Sequence, residues 1–368
     1  MAIDLFGNTV LTDTRTEGIK YAGSKLKIIP QIVDVVAGLE IKRVLDGFSG
    51  STRVSQLFAK MDYDTTSSDI SYWSETFAKC YLLADKPKQH YRELIDHLNN
   101  ITGFDGWFNQ HYGGEATFTE KRPFQRKNTI KLDGIREEID RLDLDDVDKA
   151  VALTSLIRAL DSVDSTLGHY VSYLAKWSPR SHNDLVLRVP EYVESNGDHD
   201  VIRGDIFDTV QGREFDLAYL DPPYGSNNEK MPPSRVRYAS YYHIWKTVIL
   251  NDRPKLFGKV NRREDTRDGV AASVFEEFRK DDDGKFIAMR SIGELIRKIN
   301  AKYVLLSYSS GGRATKQELV DIINSNGRLM RAIEIDYKQN VMASMRWTND
   351  WINSDNKHLE YLFLMEKR

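Results

Sequence analysis

The sequence predicts an α/β fold built on a doubly wound, mostly parallel sheet with helices on both faces. Two observations predict it. Short apolar runs that end at an acidic residue alternate with stretches of helical spacing in residues 1–79 and again after residue 195. From Cys80 to Pro190 this alternation stops, which indicates an inserted, mainly helical region. We therefore expect residues 1–79 and 196–368 to form two halves of one sheet, with residues 80–195 inserted between them.

Composition limits the class of protein. The 368 residues, 40% of them apolar, allow one large domain with an insertion, or two domains. No apolar run approaches the roughly 18 residues of a membrane span, and the first residues lack the basic start and apolar core of a signal peptide. The only cysteine, Cys80, excludes an intramolecular disulfide and a cysteine-cluster zinc site and favours a cytoplasmic protein. The net charge of −3 leaves any argument for nucleic-acid binding to local basic stretches.

The first strand follows an N-terminal helix. Residues 20–25 open this helix, with apolar residues at helical spacing from Leu26 to Val36 and Ser24 as its N-cap. A short strand at residues 44–45 leads into a tight loop at residues 46–51, whose glycines permit a ligand to approach the backbone closely. The loop lacks the G-x-G-x-x-G pattern, which disfavours a dinucleotide site.

A second strand follows a helix predicted from Thr52 to Lys60. This strand runs near residues 63–68 and ends at Asp69, which lies 23 positions beyond Asp46. An acidic residue at about this spacing meets ribose hydroxyls in nucleotide-binding α/β units. The alternative is that Asp69 caps the helix that runs through Trp73.

A basic stretch lies in the inserted region, before two predicted helices. It runs from Lys121 to Lys131, has no acidic residue and is interleaved with aromatic residues. Such a pattern suits phosphate contacts and base stacking, although a solvated loop over a small aromatic cluster is the alternative. We expect DNA contacts from its basic residues, Lys121, Arg122, Arg126, Lys127 and Lys131.

The alternation of strands and helices resumes after residue 195. A strand near Val201 precedes the turn at Asp205 and Ile206, and the apolar run at residues 215–220 predicts a buried strand. Residues 253–267 form a second basic stretch, weakened by interspersed acids. The further predicted elements are helices at 238–250, 289–300 and 316–324 and strands at 303–308, 332–336 and 360–364.

A stiff corner, Asp221-Pro222-Pro223-Tyr224, ends the buried strand. The two prolines fix φ and remove two N–H donors, so Asp221 and Tyr224 are held at set positions. This corner suits methylation of a planar exocyclic amine, whose lone pair is delocalised into an aromatic base. Asp221 can accept one N–H and the Pro222 carbonyl the other, while Tyr224 stacks on the base. The alternative is a rigid turn without chemistry.

The corner, together with Lys20–Lys25 and Asp46–Gly50 in the same order, resembles the Dam-like (D12) class of adenine-N6 DNA methyltransferases over most of the chain. The resemblance implies a Rossmann-like fold that uses S-adenosylmethionine, with catalytic residues Asp221, Pro222, Pro223 and Tyr224. It further implies cofactor contacts from Tyr21, Lys25, Asp46, Gly47, Phe48, Ser49, Gly50, Asp69, Asp205 and Ile206.

The same resemblance implies a target and a setting for the reaction. The methyl group would go to N6 of an adenine flipped out of double-stranded DNA, with residues 80–195 recognising the site and no metal required. The protein would be a monomer or dimer that modifies DNA in a restriction-modification system, alongside a restriction endonuclease with which no complex is implied.

Three alternatives stay open on the sequence. Methyltransferases acting on cytosine N4 or on RNA use the same type of corner. A NAD-binding dehydrogenase would share the sheet but needs a different phosphate loop and leaves Asp221–Tyr224 without a role. A DNA-binding specificity subunit without catalysis would not need an intact cofactor pocket.

Overall fold

A seven-stranded sheet forms the centre of the computed structural model, which describes residues 13–117, 120–225, 237–267, 273–336 and 359–368 and the backbone of residues 2–3 and 9–10. In chain order its strands are β1 (Arg43–Asp46), β2 (Asp64–Asp69), β3 (Asp200–Arg203), β4 (Glu214–Leu220), β5 (Asn300–Ser309), β6 (Gly327–Asp336) and β7 (Leu359–Lys367).

The order of the strands confirms the predicted doubly wound sheet. Across the sheet it is β6-β7-β5-β4-β1-β2-β3, and every neighbouring pair is parallel except the two that involve β7. Strands β1 and β4 are neighbours, with Asp46 opposite Tyr219. Chain order runs outward through β2 and β3 on one side and through β5 on the other, where β7 then lies between β5 and β6. Ligands bind beyond the carboxyl ends of strands at such a switch point.

Helices cover both faces of this sheet. Successive strand residues point to opposite faces, so Val44 and Leu217 pack under α1 and α2, whereas Leu45 and Ala218 pack under α11 and α12. The helices, again in chain order, are α1 (Ile29–Val36), α2 (Arg53–Lys60), α3 (Tyr72–Leu83), α4 (Lys88–Asn99), α5 (Trp107–Tyr112), α6 (Arg126–Arg141), α7 (Asp146–Val163), α8 (Ile206–Thr209), α9 (Tyr238–Tyr241), α10 (His243–Leu250), α11 (Ile287–Lys298) and α12 (Lys316–Asn326).

Short elements complete the description. Single turns of 3-10 helix lie at Lys25–Ile28, Pro179–His182, Glu264–Thr266 and Val274–Glu276. Two-residue strands pair as Ala2–Ile3 with Thr9–Val10, Gly113–Gly114 with Phe124–Gln125, and Leu256–Phe257 with Arg262–Arg263. Within the described ranges, no helix combines the length and the apolar character needed to cross a bilayer.

The inserted region shares a core with the helices of the sheet. Helices α4 to α7 lie in it, and α7 packs against α3, the helix in which the expected boundary at residue 80 falls. Trp73 and Phe77 of α3 belong to the same buried cluster as Leu156 of α7 and Trp245 of α10. The division into residues 1–79, 80–195 and 196–368 stays a prediction.

The N-terminal helix differs from its prediction at its start. Ser24 makes no side-chain capping hydrogen bond, and the chain first forms the 3-10 turn Lys25–Ile28. Helix α1 begins only at Ile29, where Pro30 in its first turn supplies a φ suited to a helix start. Ser24 thus occupies the N-cap position of the 3-10 turn, as predicted, but it does so without a side-chain capping hydrogen bond.

Candidate active site

A cleft with a cavity volume of about 290 Å³ lies beyond the carboxyl ends of β1, β2 and β4. It gathers residues as far apart in the sequence as Tyr21 and Glu276. Its lining includes Asp221 and Pro223 of the corner, together with all the residues expected at the cofactor: Tyr21, Lys25, Asp46, Gly47, Phe48, Ser49, Gly50, Asp69, Asp205 and Ile206.

The loop between β1 and α2 forms one wall of the cleft. The Gly47 N–H donates to the Tyr219 carbonyl (2.9 Å), which ties the loop to β4. A Cβ on Gly47 would lie 2.9 Å from a Leu220 methyl group, so a larger residue there would require the Leu220 side chain to move. Gly50 has φ +51°, and a Cβ on it would lie 3.0 Å from the Tyr21 ring. The two glycines therefore set the shape of this wall.

Asp46 is a buried carboxylate at the end of β1. Its Oδ2 accepts from the Ser55 hydroxyl (2.6 Å), whereas its Oδ1 has no hydrogen-bond partner among the described residues. Burial raises the pKa of Asp46 to about 7, although the Ser55 hydrogen bond opposes this rise. A buried acceptor oxygen without a partner makes this position suited to a cationic or hydrogen-bond-donating ligand.

Asp69, at the end of β2, holds two segments of the cleft together. Its Oδ2 accepts from the Gly50 N–H (2.9 Å), and its Oδ1 accepts from the Ser71 N–H (2.8 Å) and hydroxyl. Burial raises the pKa of Asp69 above its usual range. Ser71 is the N-cap residue of α3, so the alternative in which Asp69 itself occupies the cap position is wrong.

The turn after β3 forms the opposite wall. Asp205 is the N-cap of α8, and its Oδ1 accepts from the Phe207 N–H (2.8 Å). Phe48 meets Phe275 edge to face, with ring centroids 5.0 Å apart, and Phe207 stacks on the same ring. The sequence reasoning missed Phe275, because no motif or periodic pattern in the surrounding residues singles it out.

Lys25 lies between two carboxylates beside the corner. Its Nζ is 2.9 Å from Oδ1 of Asp221 and 2.7 Å from Oε1 of Glu360 on β7, and only 6% of the Lys25 side chain is exposed. The Ser307 hydroxyl donates to the same Glu360 oxygen (2.8 Å). Lys25 was expected to touch the cofactor; it lines the cleft, but its ammonium group is bound to these two carboxylates.

The ion pairs and the low exposure shift the pKa values in this group. Burial raises the pKa of Asp221, which the ammonium of Lys25 opposes and the charge of Glu360 reinforces. Burial lowers the pKa of Lys25, but Asp221, Tyr224 and Glu360 outweigh it and raise the pKa above its usual range. Lys25 is therefore protonated at neutral pH, and its charge favours the ionised form of Asp221.

The corner itself is fixed by a second loop. The Tyr224 carbonyl accepts from the Arg313 N–H (3.0 Å), and the Tyr224 ring meets Tyr308 of β5 edge to face at 5.6 Å. A Cβ on Gly312 would lie 2.4 Å from Tyr308 and 2.8 Å from Tyr224, so glycine is required for this packing. Pro222 is buried.

Stacked aromatic rings hold the segment before Lys25. Tyr21 stacks on Tyr238 and Tyr242, with ring centroids 5.4 and 4.7 Å apart, and Tyr242 stacks on Trp245 at 4.1 Å. The Tyr242 hydroxyl accepts from the Ala22 N–H (2.7 Å). The aromatic residues of α9 and α10, and Tyr242 between these helices, thus position a segment that lies more than 200 residues earlier.

Residues of the basic stretch at 121–131 have partners inside the protein. Arg126 pairs with Asp105 (2.8 Å), Lys127 pairs with Asp184 (2.6 Å), Arg122 pairs with Glu120 (2.8 Å), and Lys131 donates to the Asn99 carbonyl (2.7 Å). Lys121 is exposed. From residue 126 onward the stretch is the first part of α6. Its contact with DNA stays a prediction.

The second basic stretch packs on the inserted region beside the first. Arg122 and the Asn261 side chain both donate to the His111 carbonyl, at 3.1 and 2.7 Å. The Tyr173 hydroxyl donates to the Val260 carbonyl (2.6 Å). Three segments that the sequence separates, at 111–122, 168–182 and 253–267, therefore meet on one part of the molecule.

Curated proteins similar to this chain are modification methylases and type II methyltransferases by name. The modification methylase LlaI of Lactococcus lactis subsp. lactis is 27% identical over 322 residues, covering 83% of this chain and 48% of that protein. Type II methyltransferase M.FokI of Planomicrobium okeanokoites is 24% identical, covering 95% and 53%. The chain thus spans about half the length of these relatives, but 99% of M.NlaIII of Neisseria lactamica, to which it is 24% identical.

A family model covers the same part of the chain as the cleft. The model described as "D12 class N6 adenine-specific DNA methyltransferase" matches residues 21–274, which include Tyr21, the loop after β1 and the corner at Asp221. This match extends over more than half of the 368 residues. The chain therefore belongs to the family of D12 class N6 adenine-specific DNA methyltransferases.

Proposed function

We propose that this protein transfers a methyl group from S-adenosylmethionine to N6 of adenine in double-stranded DNA, as the modification enzyme of a restriction-modification system. The observation that carries the proposal is the position of Asp221, which shares one cleft with the loop after β1. Family membership and the names of the similar proteins support it.

The residues of the cleft fit the proposed cofactor. Asp46 offers a buried acceptor oxygen to the methionine end, and Asp69 offers a carboxylate to the ribose. Asp205 and the Ile206 N–H would meet the adenine ring, and Tyr21 closes the cleft beside Gly50. When bound, S-adenosylmethionine would supply an electrophilic methyl group on its sulfonium.

The corner would act on the target amine. With Oδ1 of Asp221 bound to Lys25, Oδ2 is left to accept one N–H of the adenine amine, and the Pro222 carbonyl accepts the other. These two hydrogen bonds draw the nitrogen toward tetrahedral geometry and free its lone pair. Tyr224, held by Tyr308, stacks on the base. The chain thus contributes alignment and exclusion of water.

The test replaces Asp221 while leaving the cofactor cleft intact. We expect Asp221→Asn and Asp221→Ala to bind S-adenosylmethionine with wild-type affinity by calorimetry and to lose methyl transfer, because Asp221 contacts the amine. The substrate is unmethylated genomic DNA, which needs no knowledge of the site, and N6-methyladenine is counted by mass spectrometry of the nucleosides. Asp208→Asn, on the exposed side of α8, is the matched control.

Other products would point to other functions. N4-methylcytosine in place of N6-methyladenine would support the cytosine enzyme, and cofactor binding without any methylated base would favour a non-catalytic subunit. Resistance of the methylated DNA to a restriction endonuclease that cuts the same site tests the proposed role in restriction-modification. Wild-type turnover by Asp221→Ala would rule out the mechanism.

A further inference from the structure

Glu360 is a buried glutamate that contacts both Lys25 and Ser307. Only 5% of the residue is exposed, and its Oε1 lies 2.7 Å from Lys25 Nζ and 2.8 Å from the Ser307 hydroxyl. The same Nζ lies 2.9 Å from Oδ1 of Asp221. The chain of contacts therefore runs from Ser307 through Glu360 and Lys25 to the carboxylate of the corner.

The sheet fixes Glu360 more firmly than it fixes Lys25. Glu360 lies opposite Ser309 in the antiparallel pairing of β7 with β5, and the next backbone contact joins Ser310 to Leu359 (2.8 Å). Lys25 instead reaches the site through a flexible four-carbon side chain from a 3-10 turn. A buried charge is costly unless it is paired, so Glu360 without Lys25 would be unfavourable here.

We propose that Glu360 is a positioning residue for methyl transfer: it holds the Lys25 ammonium against one oxygen of Asp221 and leaves the other oxygen facing the target amine. Glu360 acts only through Lys25 and does not touch the substrate. The inference rests on the function proposed above and assigns to it a residue that lies outside the corner and outside the cleft lining.

The charges around Asp221 determine what each substitution should do. Lys25 and Glu360 face it most closely, Asp46 ends the neighbouring strand β1, and the hydroxyls of Tyr219 and Tyr238 are near. Lys25 lowers the pKa of Asp221, whereas the charge of Glu360 raises it. Glutamine keeps an acceptor for Lys25 but removes that charge, so Glu360→Gln should lower the pKa of Asp221.

The direction of the pH effect depends on which protonation state of Asp221 is active. The ionised carboxylate accepts the amine N–H, so activity is lost as pH falls through the pKa of Asp221. A lower pKa moves this loss to lower pH. Leucine removes the acceptor altogether, so the pair of Lys25 and Asp221 is no longer anchored to the sheet through Glu360. Glu360→Leu should therefore reduce the rate at pH 7 by about ten- to a hundredfold, the scale of a misplaced catalytic group.

The experiment measures single-turnover methyl transfer from saturating S-adenosylmethionine to unmethylated genomic DNA from pH 5 to 9. The proteins are wild type, Glu360→Gln, Glu360→Leu and the control Glu334→Gln, which changes an exposed glutamate of β6. We expect an acidic limb at lower pH in Glu360→Gln, a slower rate in Glu360→Leu with unchanged cofactor affinity, and a wild-type profile in the control.

Two results would overturn the proposal: a wild-type rate in Glu360→Leu, or an acidic limb in Glu360→Gln that coincides with wild type. Glu360→Gln preserves the size of the side chain, so it keeps the test decisive even where Glu360→Leu fails to fold. Failure of the proposed function would appear separately, because wild type itself would then form no N6-methyladenine in DNA.

Discussion

Burial makes the ionised form of several carboxyl groups in the cleft unfavourable. Burial raises the pKa values of Asp46, Asp69 and Asp221, which means that the folded protein disfavours their negative charges. A ligand with a positive charge or several donors would relieve this cost. Residues kept for ligand binding at the expense of stability are common in active sites.

A substitution at Asp46 would measure how much stability the buried carboxylate costs the folded protein. We expect Asp46→Asn to raise the free energy of unfolding at pH 8 by about 1–4 kcal/mol, since three pKa units correspond to about 4 kcal/mol. The folded protein holds the Asp46 proton up to a pKa of about 7, whereas the unfolded chain releases it near 4. Wild-type stability therefore falls from pH 4 to pH 7, and the gain in Asp46→Asn grows over that range and then levels off.

Urea denaturation at pH 5, 7 and 9 measures this gain, and calorimetry of the same variant measures S-adenosylmethionine affinity, which should fall. Asp208→Asn serves as the exposed control. A gain that does not depend on pH would show that the pKa of Asp46 is the same in the folded and the unfolded protein, which would contradict the prediction.

Among the elements, the loop between β1 and α2 depends most on glycine. Gly50 combines a left-handed backbone with contact to the Tyr21 ring, so Gly50→Ala should both strain the backbone and displace Tyr21. We expect a loss of about tenfold in S-adenosylmethionine affinity, which corresponds to about 1.4 kcal/mol. Isothermal titration calorimetry provides the measurement.

Gly38 supplies the matched control for this loop. It has φ +80° with nothing within 4 Å of an added Cβ, so Gly38→Ala repeats the backbone strain without a new side-chain contact. We expect Gly38→Ala to lose stability and keep its cofactor affinity. Equal affinity losses in the two variants would mean that the strain alone, and not the contact with Tyr21, weakens binding.

The elements that the sequence predicted well are those whose signal is local. The apolar run before Asp221 and the strand that ends at Asp69 formed as expected, because alternation and strand-ending acids are visible within ten residues. Glu360 could not be found in this way, since in sequence it is one glutamate at the start of a strand. Its partner Lys25 lies 335 positions away, and no local sequence pattern indicates a contact over that distance.

The basic stretch at 121–131 is a second case in which the sequence does not reveal contacts between distant residues. Its charges were visible, but the partners of Arg126 and Lys127 lie 21 and 57 positions away, at Asp105 and Asp184. Those ion pairs satisfy side chains that the sequence alone would assign to phosphates. Their strength is small at an exposed surface, so the pairs leave the DNA prediction open to test.

At the scale of the whole molecule, the inserted region is part of the core. We expect a protein in which residues 86–188 are replaced by a short glycine-serine linker to lack cooperative unfolding, because Trp73, Phe77 and Tyr81 would lose their cover from α7. The linker can close geometrically, since the Val193 N–H donates to the Tyr81 carbonyl (2.8 Å). Thermal unfolding followed by circular dichroism is the measurement, and a shortened protein that still melts cooperatively and binds S-adenosylmethionine would indicate a separable domain.

The contact between Lys25 and Glu360 also has a consequence for the order of synthesis. A chain leaving the ribosome presents Lys25 early, and the loop after β1, the corner and most of the sheet can form before β7 exists. Residue 360 has to clear the exit tunnel before the buried pair closes. A nascent chain can therefore assemble its cofactor cleft first, and the lysine beside Asp221 acquires its fixed position only with the last strand.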